Sequence, residues 1–157
     1  MDSGRGYFGI GIFNGKTEQN IGTLWRSASI LGASFIFTVG RRYSHQCSDT
    51  AKAPKHIPLF NYPTWDDFIE HIPSGCPIVA VELDERSIPL EGYGHLDRCI
   101  YLLGAEDNGI PQKVLARCKD VVQILGDHCY NVAVAGSIVM YDRAAKRSKQ
   151  QDGRVSA

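Results

Sequence analysis

Read from its first residue, the chain alternates short apolar runs with segments whose apolar residues recur every three or four positions, and turn-forming residues separate the two. That rhythm predicts an α/β domain in which a mainly parallel sheet is flanked by helices. Tyr7–Phe13 reads as the first strand. Residues 20–31 follow as a helix, because Leu24, Ala28 and Leu31 fall at i, i+4 and i+7 and Gly32 is placed to end it. At 100° per residue, Arg26 lies about 200° round from Leu24 and points away from the buried face. Residues 34–39 read as a second strand, and residues 41–62 as a long, polar, basic loop without periodicity.

Thr64-Trp65-Asp66-Asp67 has the form of a capping box, and Trp65, Phe68, Ile69 and Ile72 repeat with helical spacing behind it. Residues 77–81 and 99–103 read as buried strands joined by a polar loop, residues 111–118 as a short helix opened by proline, and residues 121–125 as the last strand. A final helix is expected from Asn131 to about Lys149, with Val132, Ala135 and Val139 on one face and Asp142 and Lys146 as an exposed ion pair. The domain is therefore set at residues 1–149, with 150–157 as a polar, frayed tail.

The 157 residues fit one domain, and 43% hydrophobic with 22% charged residues is ordinary for a globular chain. No apolar run approaches the roughly 18 residues of a membrane span and the N-terminus lacks a signal-peptide core, so a cytoplasmic protein is expected. Cys47, Cys76, Cys99, Cys118 and Cys129 are odd in number and widely spaced, which gives neither a disulfide framework nor a metal-ligand set. Seventeen basic and seventeen acidic residues cancel, so any surface for a polyanion must be local. Two stretches could supply one: Arg41, Arg42, Lys52 and Lys55, and Arg143, Lys146, Arg147 and Lys149. Either could equally be an ordinary solvated face.

Several motifs fail on inspection. Gly4-Arg5-Gly6-Tyr7-Phe8-Gly9 has dinucleotide-site spacing but no strand before it. Gly15-Lys16-Thr17 ends like a phosphate-binding loop, yet Ile10 stands where the loop's first glycine belongs. Three segments remain. Asn20-Ile21-Gly22 feeds a helix carrying Arg26 and ending at Gly32; Gly104-Ala105-Glu106-Asp107-Asn108-Gly109 follows a buried strand; and Ile124, a short loop and Asn131-Val132-Ala133-Val134-Ala135 form a strand end and a helix start. Singly they also read as an amphipathic helix with a surface arginine, a β-turn and an asparagine cap.

In this order and spacing the three segments resemble the motifs of SpoU (TrmH-type) methyltransferases of the SPOUT superfamily, over roughly residues 12–143. The pattern departs from the family's in the third segment: Cys129-Tyr130-Asn131 stands for serine-leucine-asparagine, Leu125 for a proline, and the loop is shorter. The resemblance implies a C-terminal deep trefoil knot, a homodimer sharing its substrate pocket, S-adenosyl-L-methionine bound at Gly104, Ile124 and Tyr130, and methyl transfer to a ribose 2′-hydroxyl of RNA, a tRNA before an rRNA, without a metal. It makes Arg26 the catalytic arginine, with Asn20 and Asn131 orienting it or the hydroxyl and Glu106 ordering the loops. A non-catalytic dimeric module that binds RNA or the cofactor is the alternative, and a nucleotide-hydrolysing protein built on Gly15-Lys16-Thr17 a third.

Overall fold

The structure, a computed structural model, describes residues 6–40 and 57–155. Among these, β1 (Tyr7–Phe13), α1 (Glu18–Leu31), β2 (Phe35–Val39), β3 (Leu59–Tyr62), α2 (Trp65–His71), β4 (Ile78–Val81), β5 (Ile88–Pro89), β6 (Arg98–Gly104), α3 (Gln112–Leu115), β7 (Asp120–Gln123) and α4 (Val132–Val155) follow in order, with one turn of 3₁₀ helix at Leu90–Gly92. The strands form one sheet in the order β3-β2-β1-β6-β4-β7-β5, and every neighbouring pair is parallel. All carboxyl ends therefore open on one edge, where ligands bind in open parallel sheets.

Both faces of the sheet are covered, which explains strands that are apolar throughout rather than alternating. Phe8, Ile10 and Ile12 of β1, with Cys99, Tyr101 and Leu103 of β6, meet Leu24, Trp25 and Ala28 of α1 and Val132, Val139 and Met140 of α4. Ile100 and Leu102 face the other way, toward Phe68 of α2 and Val114 and Leu115 of α3. On that second face Gly9 and Gly11 pair in register with Phe35 and Phe37. A Cβ on either glycine would lie 2.3 Å from a Phe35 ring carbon or the Phe37 carbonyl, so the missing side chains make room for the rings. Gly136 does the same between α4 and α1, where a Cβ would meet Leu24 Cδ1 at 2.5 Å and Leu103 Cδ1 at 2.9 Å.

β1 and the α1 terminator are as expected: Gly32 caps α1 at φ 86°. Thr64 caps α2, accepting from the Asp67 amide at 3.1 Å. Two edge strands were not expected. β3 lies inside the stretch read as a loop, held beside β2 by the Thr38 hydroxyl, 2.6 Å from Asn61 Oδ1. β5 is two residues long and ends in proline, which an edge tolerates. The last strand stops at Gln123, leaving Leu125 76% exposed. The last helix, expected to end near Lys149, continues to Val155.

Of the C-terminal basic cluster, Lys149 is exposed and Lys146 and Arg147 are half-buried, but Arg143 is buried and cannot belong to a surface. Arg143 is 1% exposed, lies 4.7 Å over the Phe8 ring, and donates to the Leu96 and Asp97 carbonyls at 2.6 and 3.0 Å and to the Tyr101 hydroxyl at 3.2 Å. Lys146 donates to the Leu90 and Tyr93 carbonyls, and Arg147 pairs with Asp97 at 2.6 Å. The expected Asp142–Lys146 pair forms at 2.7 Å but is half-buried, and Asp142 also holds His95 Nε2. Burial pushes the His95 imidazole below its usual pKa, against the pull of the Asp142 carboxylate. These groups clamp α4 to the segment leading into β6.

Candidate active site at the carboxyl ends of the central strands

β4, β6 and β7 all end at a cavity of about 580 Å³, lined by residues 81–83, by the loop after β6, by Gln123, Ile124 and the stretch 128–131, and by the first turn of α4. This size suits a small-molecule ligand. Leu103, Ile110, Leu115, Ile124 and Val132 supply apolar walls, and Glu82, Glu106 and Asn131 supply polar groups. The loop after β6 turns back on itself through the Ala105–Gly109 bridge. Gly104 is required by that return: a Cβ there would lie 2.7 Å from the Gly109 carbonyl carbon and 2.9 Å from the Ile110 nitrogen. Gly104, expected at the cofactor, lines the cavity as well as making room for the loop's own backbone. Gly109, at φ +60°, sits over the Glu82 carboxylate, which accepts from the Ile110 amide at 3.0 Å and the Leu83 amide at 2.9 Å.

Three of the residues singled out in the sequence meet at the cavity mouth. Asn20 Nδ2 donates to Glu106 Oε1, and Asn131 Nδ2 donates to Asn20 Oδ1 at 3.0 Å. Asn131 Oδ1 in turn accepts from the Ala133 and Val134 amides at 2.9 and 3.3 Å, capping α4. One hydrogen-bonded line thus runs from the loop after β6, through the first turn of α1, to the start of α4. Lys16 and Asp107 form a second bridge between the same loop and the approach to α1.

Ile124 and Tyr130 line the cavity beside Gly104. The Tyr130 hydroxyl donates to the Leu125 carbonyl at 2.8 Å and so closes the short loop before Asn131. Arg26 stands apart. It is exposed on α1 and is absent from the cavity wall. Six residues beyond Asn20, it is about 9 Å further along the helix and about 120° round it. Arg41, Arg42, Lys52 and Lys55 lie outside the described residues. Glu82 was missed in the sequence, where its signal is a single acidic residue closing the apolar run Ile78-Val79-Ala80-Val81. Lys16 and Asp107 were passed over because each belonged to a motif judged on other positions.

The model of the SpoU rRNA Methylase family matches residues 8–141. A tRNA (guanosine(18)-2′-O)-methyltransferase of Borreliella burgdorferi is 30% identical over 130 residues, 79% of this chain and 60% of its own length. The chain thus spans about 60% of that curated relative. Among solved structures, an AdoMet-bound rRNA methyltransferase from Sinorhizobium meliloti superposes with a TM-score of 0.78 at 23% identity, over 90% of this chain and 57% of the other. A structure bearing on the 2-OH methylation of C/U34 on tRNA gives 0.78 at 22%, over 93% and 99%. At these identities the two structures establish the likeness of fold.

Proposed function

Since the chain belongs to the SpoU rRNA methylase family, we propose that it is an RNA methyltransferase using S-adenosyl-L-methionine and acting on a ribose 2′-hydroxyl, with a tRNA as substrate. The observation that carries this reading is the Glu106–Asn20–Asn131 line, which draws all three motif segments to the mouth of one ligand-sized cavity. When bound, the cofactor supplies a methyl group on a sulfonium, which needs an in-line oxygen nucleophile and no redox partner. The apolar walls at Leu103, Leu115 and Ile124 suit an adenine, and Gly104, Ile124 and Tyr130, the residues expected to hold the cofactor, all line the same cavity. Asn20 and Asn131 hold the loops in one geometry, so the reacting groups meet without reorganisation. Such orientation is worth roughly 7–11 kcal/mol in favourable cases.

Arg26 belongs to this reading as the group that holds the acceptor's phosphate or steadies the developing alkoxide. Its place outside the cavity of its own subunit favours a homodimer in which it serves the neighbouring cavity. Ile30, Val134 and Tyr141, 70%, 45% and 67% exposed on α1 and α4, leave apolar side chains for such a contact. The insertion of β6 between β1 and β4, and of β7 between β4 and β5, suits a chain whose last segment is threaded, as the family resemblance implies. No helix among the described residues is long and apolar enough to cross a membrane, and the proposed tRNA substrate supports a cytoplasmic location.

Incubation with bulk tRNA and rRNA and labelled S-adenosyl-L-methionine, followed by nucleoside analysis, tests the reading. A 2′-O-methylated nucleoside from tRNA, formed equally in the presence of a chelator, is the expected product. A methylated base, or no RNA product, overturns it. Gly104→Ala forces the loop after β6 to move and is expected to weaken cofactor binding about tenfold or more, as read by calorimetric titration. Unchanged affinity would show that the loop's return is not part of the binding site.

A further inference from the structure

Glu82 is not explained by the family motifs or by the packing of the sheet. It closes an apolar strand, lines the cavity half-buried, and forms no ion pair with any described residue. Its two oxygens accept one backbone amide each, from Leu83 and Ile110. A carboxylate has about four acceptor sites and no donor, so about two remain for a ligand that donates. Gly109 presses on Oε2, where a Cβ would stand only 2.5 Å away, which leaves the position open to a carboxylate only because residue 109 has no side chain.

The place of Glu82 in the sheet selects among the donors of the cofactor. Val81 pairs with Leu103 and with Val122, so the residues that follow them, Glu82, Gly104 and Gln123, are neighbours across three adjacent strand ends. Strands stand about 4.8 Å apart. The Glu106–Asn20–Asn131 line lies on the β6 and β1 side of Glu82, and the apolar Ile124 on its β7 side. A ligand whose reactive sulfonium lies toward that line and whose adenine lies toward β7 brings its ribose over β4.

We propose that Glu82 is a specificity-determining residue that receives the vicinal hydroxyls of the cofactor's ribose. The proposal rests on the cofactor reading above. Two neighbouring hydroxyls match the acceptor sites that the backbone leaves on the carboxylate, and an analogue without them would leave those remaining sites of a half-buried carboxylate unfilled.

The test is calorimetric titration of the wild-type chain and Glu82→Gln with S-adenosylhomocysteine, its 2′,3′-dideoxy analogue, and 5′-methylthioadenosine, which keeps the ribose but lacks the amino-acid end. Glu82→Gln is expected to weaken S-adenosylhomocysteine and methylthioadenosine about tenfold or more, and the dideoxy analogue by less than about twofold. Equal loss for all three would make Glu82 only a support of the loop through Ile110. Loss confined to S-adenosylhomocysteine would assign the carboxylate to the ammonium group, and no loss at all would exclude it from binding. Each of these overturns the proposal. A wild-type chain that binds none of the three ligands overturns the cofactor reading itself, and the proposal with it.

Discussion

Arg26→Ala is expected to lower methyl transfer by roughly 100- to 1,000-fold, the range for loss of one preorganised electrostatic contact to a reacting group, while S-adenosyl-L-methionine affinity stays within about threefold. The two effects separate because Arg26 is exposed on α1 and is not part of the cavity wall. A guanidinium stays protonated in proteins, so the role proposed for Arg26 is charge and a rigid donor fork rather than proton removal. Arg26→Lys keeps the charge and loses the fork, and is expected to recover only part of the rate. Single-turnover transfer to RNA, set beside calorimetric titration of the cofactor, measures both quantities. Loss of cofactor binding in proportion to loss of rate would move Arg26 from the reaction to the fold.

The second large effect is on stability. Arg143→Ala removes a buried guanidinium that serves the Leu96 and Asp97 carbonyls and the Tyr101 hydroxyl and lies against the Phe8 ring. Breaking such a buried polar arrangement from one side costs roughly 3–5 kcal/mol. Against a typical total of about 5–15 kcal/mol, that is a substantial fraction of the folding free energy. A drop of roughly 10 °C in Tm, with the urea midpoint falling at constant m, is the expected reading. The folded fraction should keep its RNA affinity and its dependence on salt. A variant as stable as wild type with a shallower salt dependence would return Arg143 to a basic RNA-facing surface.

Arg143 also shows what the sequence made legible and what it did not. The pattern Val132, Ala135, Val139 places position 143 on the same helical stripe, four residues on, and so on the buried side. Residue type points the other way, because arginine is almost never fully buried and this one stands among other basic residues. Where residue type and period agreed, as in β1, α1 and the Thr64 cap, the elements were readable to within a few residues. β3 and β5 were not, because four residues around an asparagine, or an isoleucine followed by proline, carry too little alternation to be seen. Of the site, Asn20, Glu106 and Asn131 were named from the motifs, but only coordinates show that they form one hydrogen-bonded line. Glu82 carried a signal of one residue, and nothing in the chain says which strand end will stand beside β6.

The hydrogen bond between Asn20 and Asn131 joins residues 111 apart in the chain. A site closed by so distant a contact cannot exist in a half-folded molecule: until α4 has docked on α1, Asn20 and Glu106 have no third member and the cavity lacks a wall. Contacts of such long range form slowly, since the loop they close must be ordered before they reward it. Activity of the proposed kind is therefore expected to report completed assembly of α1, α4 and the loop after β6, rather than to accumulate with secondary structure.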